Sequence, residues 1–275
     1  MEFEATFGTA APVIGMVHLL PLPGAPNAPD DSVRAMEATV ERAVADAEAL
    51  DAGGVDAVMI ENFGDAPFHP TDVPKHTVAA MTRAATAVTD ATDRPVGINV
   101  LRNDAIAAVS IAAAVDAAFV RVNVHTGARV ADQGILQGNA HETIRLRESL
   151  GVDVGVFADT DVKHSAPLTP TGYTAESFAD TAERGLADAV IASGSGTGEP
   201  IDVDALSAVV DERERHGLDT PVLVGSGVQP ETVEGLLSVA DGVIVGTALK
   251  RGGETTAPVD VDRVETLVER ADTVR

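Results

Sequence analysis

The stretch FVRVNVH (119–125) alternates in a way that packing alone does not require: Arg121 and Asn123 share one face, while Val120, Val122 and Val124 take the other. If the valines face surrounding helices, the guanidinium and the amide point into the interior of the sheet. Burying a guanidinium without a partner is costly, so a carboxylate or an anionic ligand must sit nearby. Other β-branched runs end in residues able to join it. One ends in Glu61 and Asn62, another in Asn99 followed by Arg102, Asn103 and Asp104, and a third in ADTDVKH, which puts Asp159 and Asp161 on one face with Lys163 and His164 beyond. Carboxylates, amides and an arginine converging on one place suit proton transfer, recognition of hydroxyls and neutralisation of an anion. Glu61, Arg121, Asp159 and Asp161 are therefore the catalytic candidates, and Asn99, Asn123, His164 and Ser193 the substrate-binding ones. Asn103 and Asp104 also suit the cap of a helix beginning near Ala105. His18, His125 and His164 all follow strands, and each could serve as a general acid or base.

Two further runs end in glycine: PVLVGSGV (221–228) and GVIVGTALK (242–250). Glycine lets a backbone approach anionic oxygens closely, and Ser226 and Thr247 add hydroxyl donors. Gly225, Ser226, Gly227, Gly246 and Thr247 are the phosphate-binding candidates, with Lys250 as a source of charge. Asp159, Asp161 and Glu61 are oxygen donors of the kind magnesium takes, while no His or Cys spacing points to zinc. Magnesium is kept as an accessory, and no dedicated metal site is expected. ASGSGTGEP (192–200) superficially resembles a dinucleotide loop, but Pro200 and the following DVD fit that poorly.

The elements that must position these groups are legible as eight short runs: VIGMV (13–17), DAVMI (56–60), VGINV (96–100), FVRVN (119–123), VGVFA (154–158), DAVIA (188–192), VLVGS (222–226) and GVIVG (242–246). Helix-period segments such as SVRAMEATVERAVADAEAL (32–50), HTVAAMTRAATAV (76–88) and PETVEGLLSVA (230–240) alternate with them. Eight strands with crossover helices and no second composition zone predict an α/β fold, a closed (β/α)₈ barrel in one domain over 1–275. Four long strand exits (18–30, 62–74, 125–139 and 160–173) then read as structureless loops on the active-site face. The two glycine-ended runs become strands seven and eight, between which many such barrels hold a substrate phosphate.

Composition narrows the partners. Forty-three acidic residues against 19 basic ones give a formal charge of −24, with no basic stripe for nucleic acid. The acid is spread along the chain as a solvated surface whose self-repulsion needs screening, which is the composition of a halophile protein. There is no cysteine, hence no disulfide or thiolate chemistry. The acidic N-terminus is unlike a signal peptide, and the apolar stretch 105–120 is broken by Asp116. A soluble, cytoplasmic homo-oligomer without membrane insertion is the expectation.

VIGMVHLLPLPGAP (13–26), GVDAVMIENFGDAPF (54–68), VRVNVHTG (120–127), DTDVKHS (159–165), ADAVIASGSGTG (187–198) and GVIVGTALK (242–250) together resemble the BtpA/SgcQ family, from about residue 12 to beyond residue 250. The resemblance implies a TIM-type barrel of the ribulose-phosphate-binding kind. It also implies several functions: photosystem I accumulation in cyanobacterial members, sugar metabolism in others, and nucleoside phosphorolysis in haloarchaeal ones. The expected activity is that of a pentosyl glycosyltransferase, phosphorolysis of a purine nucleoside such as guanosine, with inorganic phosphate as co-substrate. There Arg121 would neutralise phosphate, Asn99 and Asn123 would take hydroxyls, and Asp159, Asp161 or Glu61 would protonate the departing base. The alternatives are a sugar-phosphate isomerase or aldolase, with Lys163 as its Schiff-base lysine, and a non-catalytic assembly factor for a membrane complex.

Overall fold

The computed structural model describes residues 1–160, 164–168, 177–194, 201 and 203–275. Eight parallel strands close into a barrel: β1 (Val13–His18), β2 (Ala57–Glu61), β3 (Val96–Asn99), β4 (Phe119–Val122), β7 (Gly155–Asp159), β9 (Ala189–Ala192), β10 (Val222–Val224) and β11 (Val243–Val245). These are the eight runs expected from the sequence. Helices α2 (Ser32–Ala52), α3 (Lys75–Thr89), α4 (Ala105–Val115), α5 (Ala140–Leu150), α7 (Val203–His216), α8 (Val233–Leu237) and α9 (Val261–Ala271) connect or follow them. In place of an eighth long crossover helix, α6 (Ser177–Ala179) runs into a π-helical turn, Asp180–Arg184.

Period-two alternation divides the core into two shells. Outward residues such as Val13, Val17, Val58, Ile60, Val120, Val122, Val190 and Val224 pack against the helices. Inward residues Ile14, Met16, Ala57, Met59, Phe119, Phe157, Ile191, Leu223 and Ile244 fill the barrel. The N-terminal end of the barrel is closed by aromatics. Phe119 and Phe157 stack with ring centroids 4.7 Å apart, and α1 (Phe3–Phe7) lays Phe7 edge-on to Phe119 at 5.7 Å. Gly97 makes room for this stack, since a side chain there would collide with the Phe119 ring.

A repeated aspartate device ties strand starts together at the same end. Asp56, Asp188 and Asp241 each accept a strand N–H, from Val13 at 2.7 Å, Val156 at 2.8 Å and Val222 at 2.8 Å. Each is also paired with an arginine from a helix or the C-terminus: Arg275, Arg147 and Arg213 respectively. The motifs VDAVMI, ADAVIA and ADGVIV record this use of Asp before a strand.

Two expectations are corrected by this architecture. The exit 125–139 is not structureless: β5 (Ala128–Ala131) and β6 (Gly134–Gln137) form an antiparallel hairpin, and β8 (Ser165–Pro167) pairs with β5 to make a three-stranded sheet. Its turn, Asp132–Gln133, is followed by Gly134 at φ 104°, a conformation that favours glycine. The other correction concerns Lys250. Its Nζ does not reach the phosphate loops; it is fully buried, donating to the Met16 carbonyl at 2.9 Å and to Asp46 of α2 at 3.2 Å. Burial lowers its pKa to about 8, against the raising effect of Asp46.

Candidate functional site

At the C-terminal mouth the inward positions turn from apolar to polar. His18 pairs in register with Glu61, Glu61 with Asn99, and Asn99 with Arg121, so four neighbouring strands present a continuous polar row. Asn123, Asp159 and Ser193 continue it from the exits of β4, β7 and β9.

The parity argument for Arg121 is met by a carboxylate. Arg121 Nε and Nη2 donate to Asp159 at 3.1 and 2.8 Å, Asn123 Nδ2 donates at 2.8 Å, and Ser193 Oγ at 3.4 Å. Burial works against the Arg121 charge, but the charge and hydrogen bonds of Asp159, with the charge of Glu61, outweigh it and raise its pKa. Asn99 donates to the Arg121 carbonyl at 3.0 Å and to Asn123 Oδ1 at 3.4 Å, which fixes the Asn123 amide. Asp159 is thus the hub of a buried network, with its oxygens taken up by donors.

A cavity of about 310 Å³ opens above this network. One wall carries Glu61, Arg121 and Asn123, with Arg102 beside them; a second is made by Phe63 and Phe68; the third is formed by the loops 225–229 and 246–248. His18 and His164 also line it. Burial depresses the Arg102 pKa, partly offset by the charges of Asp159, Asp132 and Glu61.

The two loops present backbone donors to the cavity. Among the described residues, the N–H groups of Gly227, Val228, Thr247 and Ala248 donate to no acceptor. The Gly225 N–H, by contrast, is spent on the Ala192 carbonyl at 2.8 Å. Gly225 instead leaves space: a side chain there would meet Ser193 Oγ at 2.6 Å and Arg121 Nη2 at 3.3 Å. Ser226 Oγ accepts the Gly194 N–H at 2.9 Å, and the Thr247 hydroxyl bonds Thr255 at 2.9 Å.

Of the sequence candidates, Glu61, Arg121, Asn123, His164 and the five loop residues Gly225, Ser226, Gly227, Gly246 and Thr247 line one cavity. Asn99, Asp159 and Ser193 support it from beneath through the network above. Asp161, Lys163 and residues 195–200 of the glycine-rich stretch lie outside the described residues. His125 points elsewhere: its Nε2 lies 2.7 Å from the Gly185 carbonyl, and burial lowers its pKa. Asn62 and Asn103 brace loops, Asn62 accepting from Leu101 N at 2.7 Å and Asn103 from Val124 N at 2.8 Å. Asp104 caps α4, as its position suggested. Phe63, Phe68 and Thr255 were not anticipated; the two phenylalanines carried the only available signal, being rare aromatics in a chain with 3 %. Among the described residues, no cluster of three or more His, Cys, Asp or Glu is placed to hold a metal, and no helix is long and apolar enough to cross a membrane.

The profile of the BtpA family matches residues 9–273. The chain belongs to the BtpA family. It is 47 % identical over 277 residues to an uncharacterized protein of Thermococcus kodakarensis, covering 100 % of this chain and 98 % of that one. It is 45 % identical to the photosystem I biogenesis protein BtpA of a Synechocystis strain, covering 98 % and 91 %. Among solved structures it resembles N-(5'-phosphoribosyl)anthranilate isomerase from Pyrococcus furiosus, with a TM-score of 0.56, 16 % identity, and coverage of 96 % and 100 %. That likeness is one of fold.

Proposed function

We propose that this BtpA-family barrel is an enzyme of phosphate-dependent ribosyl transfer, cleaving a purine nucleoside, guanosine in the first instance, to free base and ribose 1-phosphate. The observation that carries the reading is the joining, in one cavity, of four open backbone N–H groups with a carboxylate and an aromatic wall. Those are the three chemistries that the parts of the reaction require. Phosphate sits on the loops after β10 and β11, with the Arg121 charge beneath it. Phe63 and Phe68 offer faces to a planar base. Asn123 meets the ribose hydroxyls. A phosphate oxygen forms the new bond to C1′ as the C1′–N bond breaks, and the base leaves with the bonding pair and takes up a proton.

Among the carboxylates, Glu61 suits the proton-transfer role, because it lines the cavity directly. Asp159 is assigned to holding Arg121 and Asn123. A volume near 310 Å³ suits a nucleoside-sized ligand. The phosphoribosyl substrate named for the structural neighbour is consistent with this assignment, by analogy of fold alone. The biogenesis role named for the cyanobacterial relative needs no polar cavity.

The test is incubation of the purified protein with guanosine in molar KCl, which screens its surface charge. Guanine release that requires added phosphate is the expected result. No release with phosphate present overturns the reading, and conversion of a sugar phosphate without any free base would replace it with an isomerase or aldolase.

A further inference from the structure

Gln229 closes the loop after β10, directly behind Gly227 and Val228, whose N–H groups donate to no acceptor. Its own backbone is committed. The Gln229 N–H donates to Thr232 Oγ1 at 3.1 Å. Its carbonyl accepts from the Thr232 hydroxyl at 3.2 Å and from the Thr232 and Val233 N–H groups at 3.0 Å each. These four bonds anchor the residue to the start of α8. They also end the run of open N–H groups at Val228.

The side chain is used differently. Gln229 is half-buried and lines the cavity, yet among the described residues its carboxamide makes no hydrogen bond. With the stem held at both backbone atoms, the carboxamide is the part of the residue left to meet a ligand. A primary amide carries two N–H donors and no charge. It can therefore continue, through a side chain, the series of neutral donors that the backbone breaks off. Oxygens of a tetrahedral anion accept such donors as they accept peptide N–H groups, and a hydrogen bond to a charged partner is among the stronger ones. We propose that Gln229 is an anion-contacting residue of this site, its Nε2 donating to one oxygen of bound phosphate, so that it sets affinity for the phosphate co-substrate and not for the nucleoside. This rests on the reading of the two loops as a phosphate site.

The chain holds three glutamines: Gln133 and Gln137, both in the β5–β6 hairpin, and Gln229. Full-length protein labelled with nitrogen-15 only at glutamine side chains therefore gives three amide pairs by NMR, and Gln133→Ala and Gln137→Ala assign the hairpin pair of signals. Titration of inorganic phosphate, and separately of sulfate, should shift the Gln229 signals and leave the other two in place. Calorimetry on the same samples measures the affinity. Gln229→Met keeps the length and removes the donors, and phosphate affinity should fall about tenfold. Gln229→Glu sets a carboxylate against the anion and should lower it about a hundredfold. In turnover both variants should raise KM for phosphate and leave KM for guanosine unchanged. The protein with Gln229 intact can overturn the proposal by itself: an anion that binds by calorimetry without moving the Gln229 signals excludes the contact and leaves the phosphate site standing. Unchanged phosphate affinity in a folded Gln229→Glu excludes it too, as does a raised KM for guanosine with that for phosphate unaltered. Failure of both anions to bind the unmodified protein overturns the phosphate site itself, and the proposal with it.

Discussion

The same inward-facing rows build two opposite ends of the barrel. At the N-terminal end they supply Phe119 and Phe157, packed under α1, while two residues further on β4 and β7 they supply Arg121 and Asp159. At the apolar end free energy goes into close packing. At the polar end buried charges are kept apart from solvent but satisfied by one another, with loops that leave space above them. The difference teaches that apolar packing and a buried polar network are separated along the strand axis by a single step of the pleat.

The largest expected effect breaks the lower end. Phe157→Ala removes one ring of the Phe119 stack and should lower unfolding stability by about 4 kcal/mol in urea titrations. Anion binding should survive at low denaturant. Loss of binding in a variant that remains folded would show that the two ends are not separable.

Asp159→Asn attacks the upper end. It leaves Arg121 buried without its counter-charge, and stability should fall by roughly 3 kcal/mol. Here ligand binding should fail as well, because one of the two carboxylate oxygens that hold the guanidinium and the Asn123 amide is replaced by an N–H donor. A stable variant with normal turnover would contradict the hub role given to this residue.

The Lys250–Asp46 pair sharpens the contrast, since it is ionic and buried yet does not line the cavity. The folded-state pKa of Lys250 is depressed from 10.5 to about 8. Below pH 8 both folded and unfolded chains hold the proton, and pH has no effect through this group. Between about 8 and 10.5 the unfolded chain binds more protons, so stability rises with pH, by up to about 3 kcal/mol. With only three lysines and one tyrosine in the chain the background is small. Denaturation midpoints should rise across this window in the unmodified protein and stay level in Lys250→Met.

The smallest effect is local to the loop after β11. Gly246→Ala places a methyl group 3.0 Å from His18 Cε1. Phosphate affinity should drop by roughly tenfold, about 1.4 kcal/mol, with the melting temperature unchanged. A large loss of stability would instead make Gly246 a folding residue.

The barrel was legible because each strand kept its β-branched run and each exit its polar residue; Arg121 and Asn123 pointed inward for the reason their alternation gave. Lys250 was misread because sequence places it beyond a strand but does not reveal which side of the wall its chain follows. The β5–β6 hairpin was missed because ARVADQGILQ has only four residues a side, without the Asn-Gly type of turn that marks hairpins most clearly. Thr255 could not have been found: its link to His18 spans 237 positions and uses a backbone carbonyl that any residue supplies.

The central claim is most directly tested by following guanosine turnover in molar KCl with phosphate consumption and guanine release measured together, for the unmodified protein and for Glu61→Gln. The account predicts one phosphate consumed for each guanine released, and a loss of both of about a hundredfold in the folded variant. Guanine release without phosphate consumption, or equal turnover in the two proteins, would contradict it.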